Sequence, residues 1–359
     1  MPPVLAPDAL AAPAQAVTPP QAVAPLPAVA LVQPPEPASD CRHAGLAARH
    51  AGLLAQALGD HHDQPDADRA AQVLRCIDEA PTAASRTSGG SSGSGSGSGE
   101  LFDLPALQAR LSPADALVVY GRQGEELLAC VVHAAGVQVF RRLARWHDVQ
   151  AAWRLVRFQL DALCHGAGPP RAQWPHLLKR AQLQLQALHG LVWAPLVDTL
   201  TDVRRVLLLP GAGLAGLPFA ALQDSLSCLA QRHLLAEVPS LALALRGLSS
   251  PVEPSCTAAA GPLDRGVVVL GLGLGEPGVR GDANPAGRAQ ALLASGEWRV
   301  LVRRWPVDDQ LTAAFMDRFQ QARQGGRGPA EALSEAQAGL MVNHPHPAFW
   351  AGFVLYGGW

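Results

Sequence analysis

Residues Val300 to Phe319 read VLVRRWPVDDQLTAAFMDRF. The apolar run within WRVLVRRW reads as a buried strand, Trp305 to Asp309 as a turn, and LTAAFMDRFQQARQ as a helix stopped by Gly325 and Gly326. Asp308 or Asp309 is placed to cap a helix that begins at Leu311, with Trp305 in the core beneath it.

Outward from this unit the pattern alternates. RRVLLLP (204–210) and GVVVLGL (266–272) are short continuous apolar runs bounded by turns, as buried parallel strands are. ALVVYG (116–121) and ELLACVVHA (126–134) flank a polar turn and read as a β-hairpin. Trp146, Val149, Trp153, Val156, Leu160 and Leu163 recur at spacings of three and four, one apolar stripe of a long helix. A second helix runs from about His176 to Trp193, where Pro195 stops it; ALLASG and PAEALSEAQAGLM are later ones, and WAGFVLYG closes the chain as a strand. Strands alternating with helices predict an α/β domain with a mostly parallel sheet, spanning residues 101–359.

The first hundred residues are built differently. Residues 1–39 are Pro/Ala-rich with no helical or strand period, which predicts a disordered arm. Residues 40–82 read as a helical hairpin, the possible remnant of a repeat array, with Asp66 or Asp68 as N-cap of its second helix. Residues 83–100 are a Gly/Ser linker that spans roughly 20 Å on average and tethers without orienting.

Charge narrows the function classes. A net charge of −2 lacks the basic surface that nucleic-acid binding needs. No stretch approaches the roughly 20 apolar residues of a membrane span, and no Lys or Arg precedes Arg42 to form the basic start of a signal peptide. Six scattered cysteines without a C-x-x-C motif predict reduced, mostly buried thiols and a cytoplasmic protein.

Four segments carry a family resemblance. VLLLPGAGLAGLPFAAL (206–222) is similar to the strand, Pro-x-Gly turn and Leu-Pro-Phe block of the CHAT domain, and LHGLVWAPL (188–196) resembles the helix before it. Val300 to Phe319 resembles that family's late strand, Trp-x-x-Asp-Asp turn and helix, and HPHPAFWAGFVLYG (344–357) its closing strand. The resemblance implies a caspase-like α/β/α sandwich, kinship with cysteine peptidases and a frequent association with tetratricopeptide repeats in bacterial proteins. It implies a catalytic His, usually followed by Gly, at the end of one parallel strand and a Cys at the end of the next. In the family both strands lie between those that GVVVLGL and WRVLVRRW resemble, and here almost nothing lies between them. The sheet is therefore expected to be truncated in its centre, at a seam near Gly278 to Asp282. GVVVLGL and WRVLVRRW should then become neighbours or flank a gap.

No residue is assigned a catalytic role. Cys164 and His165, followed by Gly166, hold the right residue types for a displaced dyad, but they close a helical pattern, and adjacent helical side chains diverge. Gly166 suits a helix C-cap. Cys228 lies five residues before His233, an offset that does not align them, and reads as a small buried hydrophobe. Gly273 to Gly278 spells G-x-G-x-x-G after a strand, but no helix N-terminus follows to receive a phosphate. Cys41, His43, His50, His61, His62 and Asp63 match no zinc spacing. No cofactor and no metal is expected. Trp305, Asp308 and Asp309 should line any surviving peptide groove at the carboxyl edge of the sheet; the alternative is a cap and a core tryptophan. Two functions remain open: a non-catalytic member that binds a protein or peptide partner, or a peptidase whose catalytic insert is missing from this sequence.

Overall fold

A computed structural model describes residues 52–59, 66–79, 103–164, 173–211, 213–249, 268–270, 285–297 and 299–359. The arm, the Gly/Ser linker, the His-rich cluster and the G-x-G-x-x-G stretch lie outside them.

The described residues form an α/β/α sandwich on one eight-stranded sheet. Its strands are β1 (Asp115–Gln123), β2 (Glu126–His133), β3 (Gly136–Arg145), β4 (Arg205–Leu209), β5 (Leu234–Glu237), β6 (Val268–Leu270), β7 (Arg299–Arg303) and β8 (Phe353–Gly357). The spatial order is β3-β2-β1-β4-β5-β8-β7-β6. β1 and β2 are the expected hairpin, and β3 extends it as a further antiparallel strand. β1, β4 and β5 run parallel.

The strands expected to become neighbours or flank a gap pair directly. β6 lies parallel to β7, with Val268, Val269 and Leu270 opposite Val300, Leu301 and Val302. β8 pairs antiparallel with β7 over five residues and meets β5 only at Glu237 opposite Tyr356. The thinnest joint of the sheet thus falls between β5 and β8.

Ten helices are described: α1 (52–58), α2 (Ala67–Glu79), α3 (Leu104–Gln108), α4 (Trp146–Cys164), α5 (Trp174–Val192), α6 (Leu229–Arg232), α7 (Leu241–Ser249), α8 (Pro285–Ser295), α9 (Asp309–Gln324) and α10 (Pro329–Asn343). Strand alternation sorts the late helices between the two faces. Val300, Val302, Val354 and Tyr356 pack with Ala289 and Leu293 of α8, while Leu355 and Phe353 join Phe315 and Phe319 of α9. In α4, Trp146, Val149, Val156 and Leu160 are buried, the stripe the spacing predicts. Asp66 caps α2, its Oδ1 accepting from Arg69 N at 2.9 Å.

The helical hairpin is not a separate body. Residues 42–359 form one compact unit, and Leu54, Leu58, Val73, Leu74 and Ile77 belong to the main hydrophobic core. The sequence suggested a tethered element because a Gly/Ser tract carries no information about whether the segment before it docks.

Candidate functional site

A thiol nucleophile needs a lowered pKa and a base within reach. Cys76, Cys130 and Cys228 are buried. Cys130 sits in the middle of β2, and burial pushes its thiol up to about 12. Cys228 precedes α6; its backbone N–H and its Sγ both point to Gln231 Oε1, at 3.0 and 3.4 Å, and burial raises its thiol too. His233 faces elsewhere: its Nδ1 lies 2.8 Å from the Val203 carbonyl and its ring packs beside Trp193. Both cysteines are thus held in the protonated form, opposite to what nucleophilic attack requires. Cys164 is the last residue of α4, while its side chain, His165 and Gly166 lie outside the described residues.

Around β7 the structure combines the two readings left open for Trp305, Asp308 and Asp309. Asp308 is the N-cap of α9, its Oδ1 accepting from Gln310 N at 2.9 Å and Leu311 N at 3.3 Å. Trp305 is half-buried, with Nε1 donating to the Ala348 carbonyl at 2.8 Å. Asp308 and Asp309 also line a groove of about 320 Å³ with Leu163, Pro306, Val307, Ala348 and Phe349. Leu163 brings the end of α4 to this groove, next in sequence to Cys164. Trp305 supports the groove from behind, through Ala348, and is not among these lining residues.

The groove lies at the opposite edge from the one expected. β7 runs antiparallel to β8, which is parallel to β5, so its carboxyl end lies where β1, β4 and β5 begin. The crevice that parallel α/β sheets use for ligands is at the other end, beyond Leu209.

A buried polar cluster that the sequence reading missed occupies the β5–β8 joint. Arg304 Nη2 donates to a Glu237 carboxylate oxygen and, at 2.8 Å, to the Tyr356 hydroxyl, and Nη1 donates to the Leu217 carbonyl at 2.9 Å. The side chains of Arg304 and Glu237 are 6% and 4% exposed, so this pair is inside the protein. Burial pushes the Glu237 carboxyl up while Arg304 draws it down; Glu237 in turn holds Arg304 protonated. A cavity of about 20 Å³, room for one water, adjoins the cluster beside His233, Ser334 and Gln337. The only sequence signal was a glutamate closing the apolar run LLAE.

The fold is thus an α/β/α sandwich with a mixed sheet, its late strands joined directly. A family model for the CHAT domain matches residues 273–358, which include β7, α9, α10 and β8, and the chain carries a CHAT domain over this part. No curated protein matches the chain. Among the described residues, no helix is long and apolar enough to cross a membrane.

Proposed function

We propose that this chain is a non-catalytic CHAT domain protein that works by protein–protein interaction, with a protein or peptide as its partner. The observation that carries the reading is the direct pairing of β6 with β7, where the family resemblance puts the His and Cys strands. Further support comes from Cys130 and Cys228, whose burial disfavours the thiolate. No nucleic acid, membrane or cofactor enters this function.

An activity-based thiol probe tests it on the native chain. The expected result is no selective labelling, with Cys76, Cys130 and Cys228 reacting only after denaturation. Selective labelling of Cys164 that His165→Ala abolishes would overturn the reading and establish a displaced dyad.

A further inference from the structure

The contact between α2 and the sheet has the features of a fitted binding seat. Ile77 is buried over the carboxyl ends of β1 and β4, where Gly121 makes room for it and Gly211 lies in ordinary contact. A Cβ on Gly121 would stand 2.7 Å from Ile77 Cγ1, closer than real contacts allow. A Cβ on Gly211 would stand 3.7 Å from Ile77 Cγ2 and would strike the Tyr120 carbonyl oxygen. One residue further on, Asp78 Oδ1 accepts from Leu241 N at 3.0 Å, at the start of α7. A turn earlier, Val73 and Leu74 are fully buried, and Arg141 Nη1 donates to the Gly59 carbonyl at 2.9 Å beside α1. The seat therefore reads a side-chain pattern: an aliphatic knob, an acidic residue directly after it for the α7 amide, and two apolar residues one turn before.

The sequence between α2 and α3 includes the Gly/Ser tract, so no short connection obliges α2 to sit here. Its side chains decide the docking. This is the helix-in-groove mode of recognition, with the ligand supplied by the same chain.

We propose that this seat is a helix-accepting groove whose resident occupant is α2, and that a partner protein binds by replacing α2. The replacing element is an amphipathic helix with the same Val-Leu-x-x-Ile-Asp pattern. The inference rests on the protein-interaction reading above and supplies its surface and the chemistry of its partner. The covalent tether makes α2 a strong competitor: a Gly/Ser-rich sequence of this kind corresponds to an effective concentration on the order of 1 mM. At about 1 μM a free helix with the same contacts would fill roughly one seat in a thousand. Partner binding is accordingly shut until the resident helix is displaced or modified.

The test uses the full-length chain and a fluorescein-labelled peptide of residues 52–79. At micromolar peptide the parent protein should give no anisotropy change. Ile77→Arg, which unseats the resident helix, should bind the peptide, and adding Gly121→Ala should weaken that binding at least about tenfold. A peptide with Asp78→Asn should bind Ile77→Arg protein several-fold more weakly. A second form, the parent chain cut at a protease site placed within residues 88–100, avoids reliance on the Ile77 variant's folding; native mass spectrometry should show its hairpin exchanging for labelled peptide. No exchange in the cut chain overturns the proposal. So does failure of a folded Ile77→Arg chain to bind, or binding indifferent to Gly121→Ala. The thiol-probe result is independent: selective labelling would sink the non-catalytic reading without altering peptide exchange, and failed exchange would sink the seat without altering labelling.

Discussion

Glu237 and Tyr356 form the single register pair at which β5 meets β8, whereas β4 and β5 pair over four residues and β7 and β8 over five. Arg304 ties the two together from beyond the end of β7. Side chains thus supply at this joint what the backbone ladder supplies elsewhere in the sheet.

Removing one charge of that pair should be costly, because the other stays buried without its partner. Glu237→Gln is expected to lower stability by about 3–5 kcal/mol, and Tyr356→Phe by about 1 kcal/mol, in urea unfolding. The double variant Glu237→Leu with Arg304→Met should be less destabilised than Glu237→Gln alone, since neither charge then remains. A Glu237→Gln protein within error of the parent would show that the joint does not depend on the pair.

Packing across the same strand gives a second expectation. The rings of Phe315 on α9 and Phe353 on β8 stack with centroids 3.7 Å apart, and both residues are essentially inaccessible. Phe315→Ala should cost about 3–5 kcal/mol, as a buried aromatic truncation does, and Phe315→Leu markedly less because the cavity is smaller. Chemical denaturation of the two variants decides it. Equal losses would mean that ring stacking, not filled volume, anchors α9.

Much of the fold was legible because it follows from period and punctuation. The α4 stripe, the β1–β2 hairpin, and the strand-turn-helix from Val300 to Phe319 all stand where the residue patterns put them. β3 was missed because GVQVFRRLAR is a half-exposed strand with arginines where an apolar run was sought. β5 was missed because four residues next to a helical pattern carry too little signal. The capping role of Asp308 was readable, since a cap is local; the edge on which its groove lies was not. Edge depends on strand direction, and nothing near Trp305 announces that β7 opposes β5. The seat of α2 was equally hidden, because Ile77, Gly121 and Gly211 meet only through tertiary contact.

Asp308 and Asp309 should separate cleanly in stability. Asp308 satisfies two amides at the start of α9, so Asp308→Ala is expected to cost about 1 kcal/mol and Asp308→Asn much less. Asp309, in the first turn, contributes chiefly by its charge near the helix N-terminus, so Asp309→Ala should cost about 0.5 kcal/mol and lose even that in high salt. Thermal unfolding at low and high ionic strength measures both. A larger loss at Asp309 than at Asp308 would contradict the capping assignment.

His346 should make the protein acid-sensitive in a defined window. Its ring is buried beside Phe349, Nδ1 accepts the Ala348 N–H at 3.2 Å, and burial lowers its pKa from 6.5 to about 4. Above pH 6.5 the ring is neutral in both folded and unfolded chains and contributes no pH dependence. As pH falls from 6.5 to 4 the unfolded chain takes up a proton that the folded one refuses, so stability drops, by roughly 3 kcal/mol in all, and then levels off. Asp224 acts lower on the scale: its carboxylate accepts from Leu226 N and Ser227 N and is held at about 2, so what it contributes above its ordinary 3.8 is lost only as pH falls through 2. Unfolding free energies between pH 7 and 4 should therefore slope downward in the parent and less steeply in His346→Gln, where His133, His189 and His233, whose pKa values burial also lowers, keep part of the slope, while Asp224→Asn leaves the His346 contribution unchanged. A slope in His346→Gln as steep as the parent's would place the titrating group elsewhere.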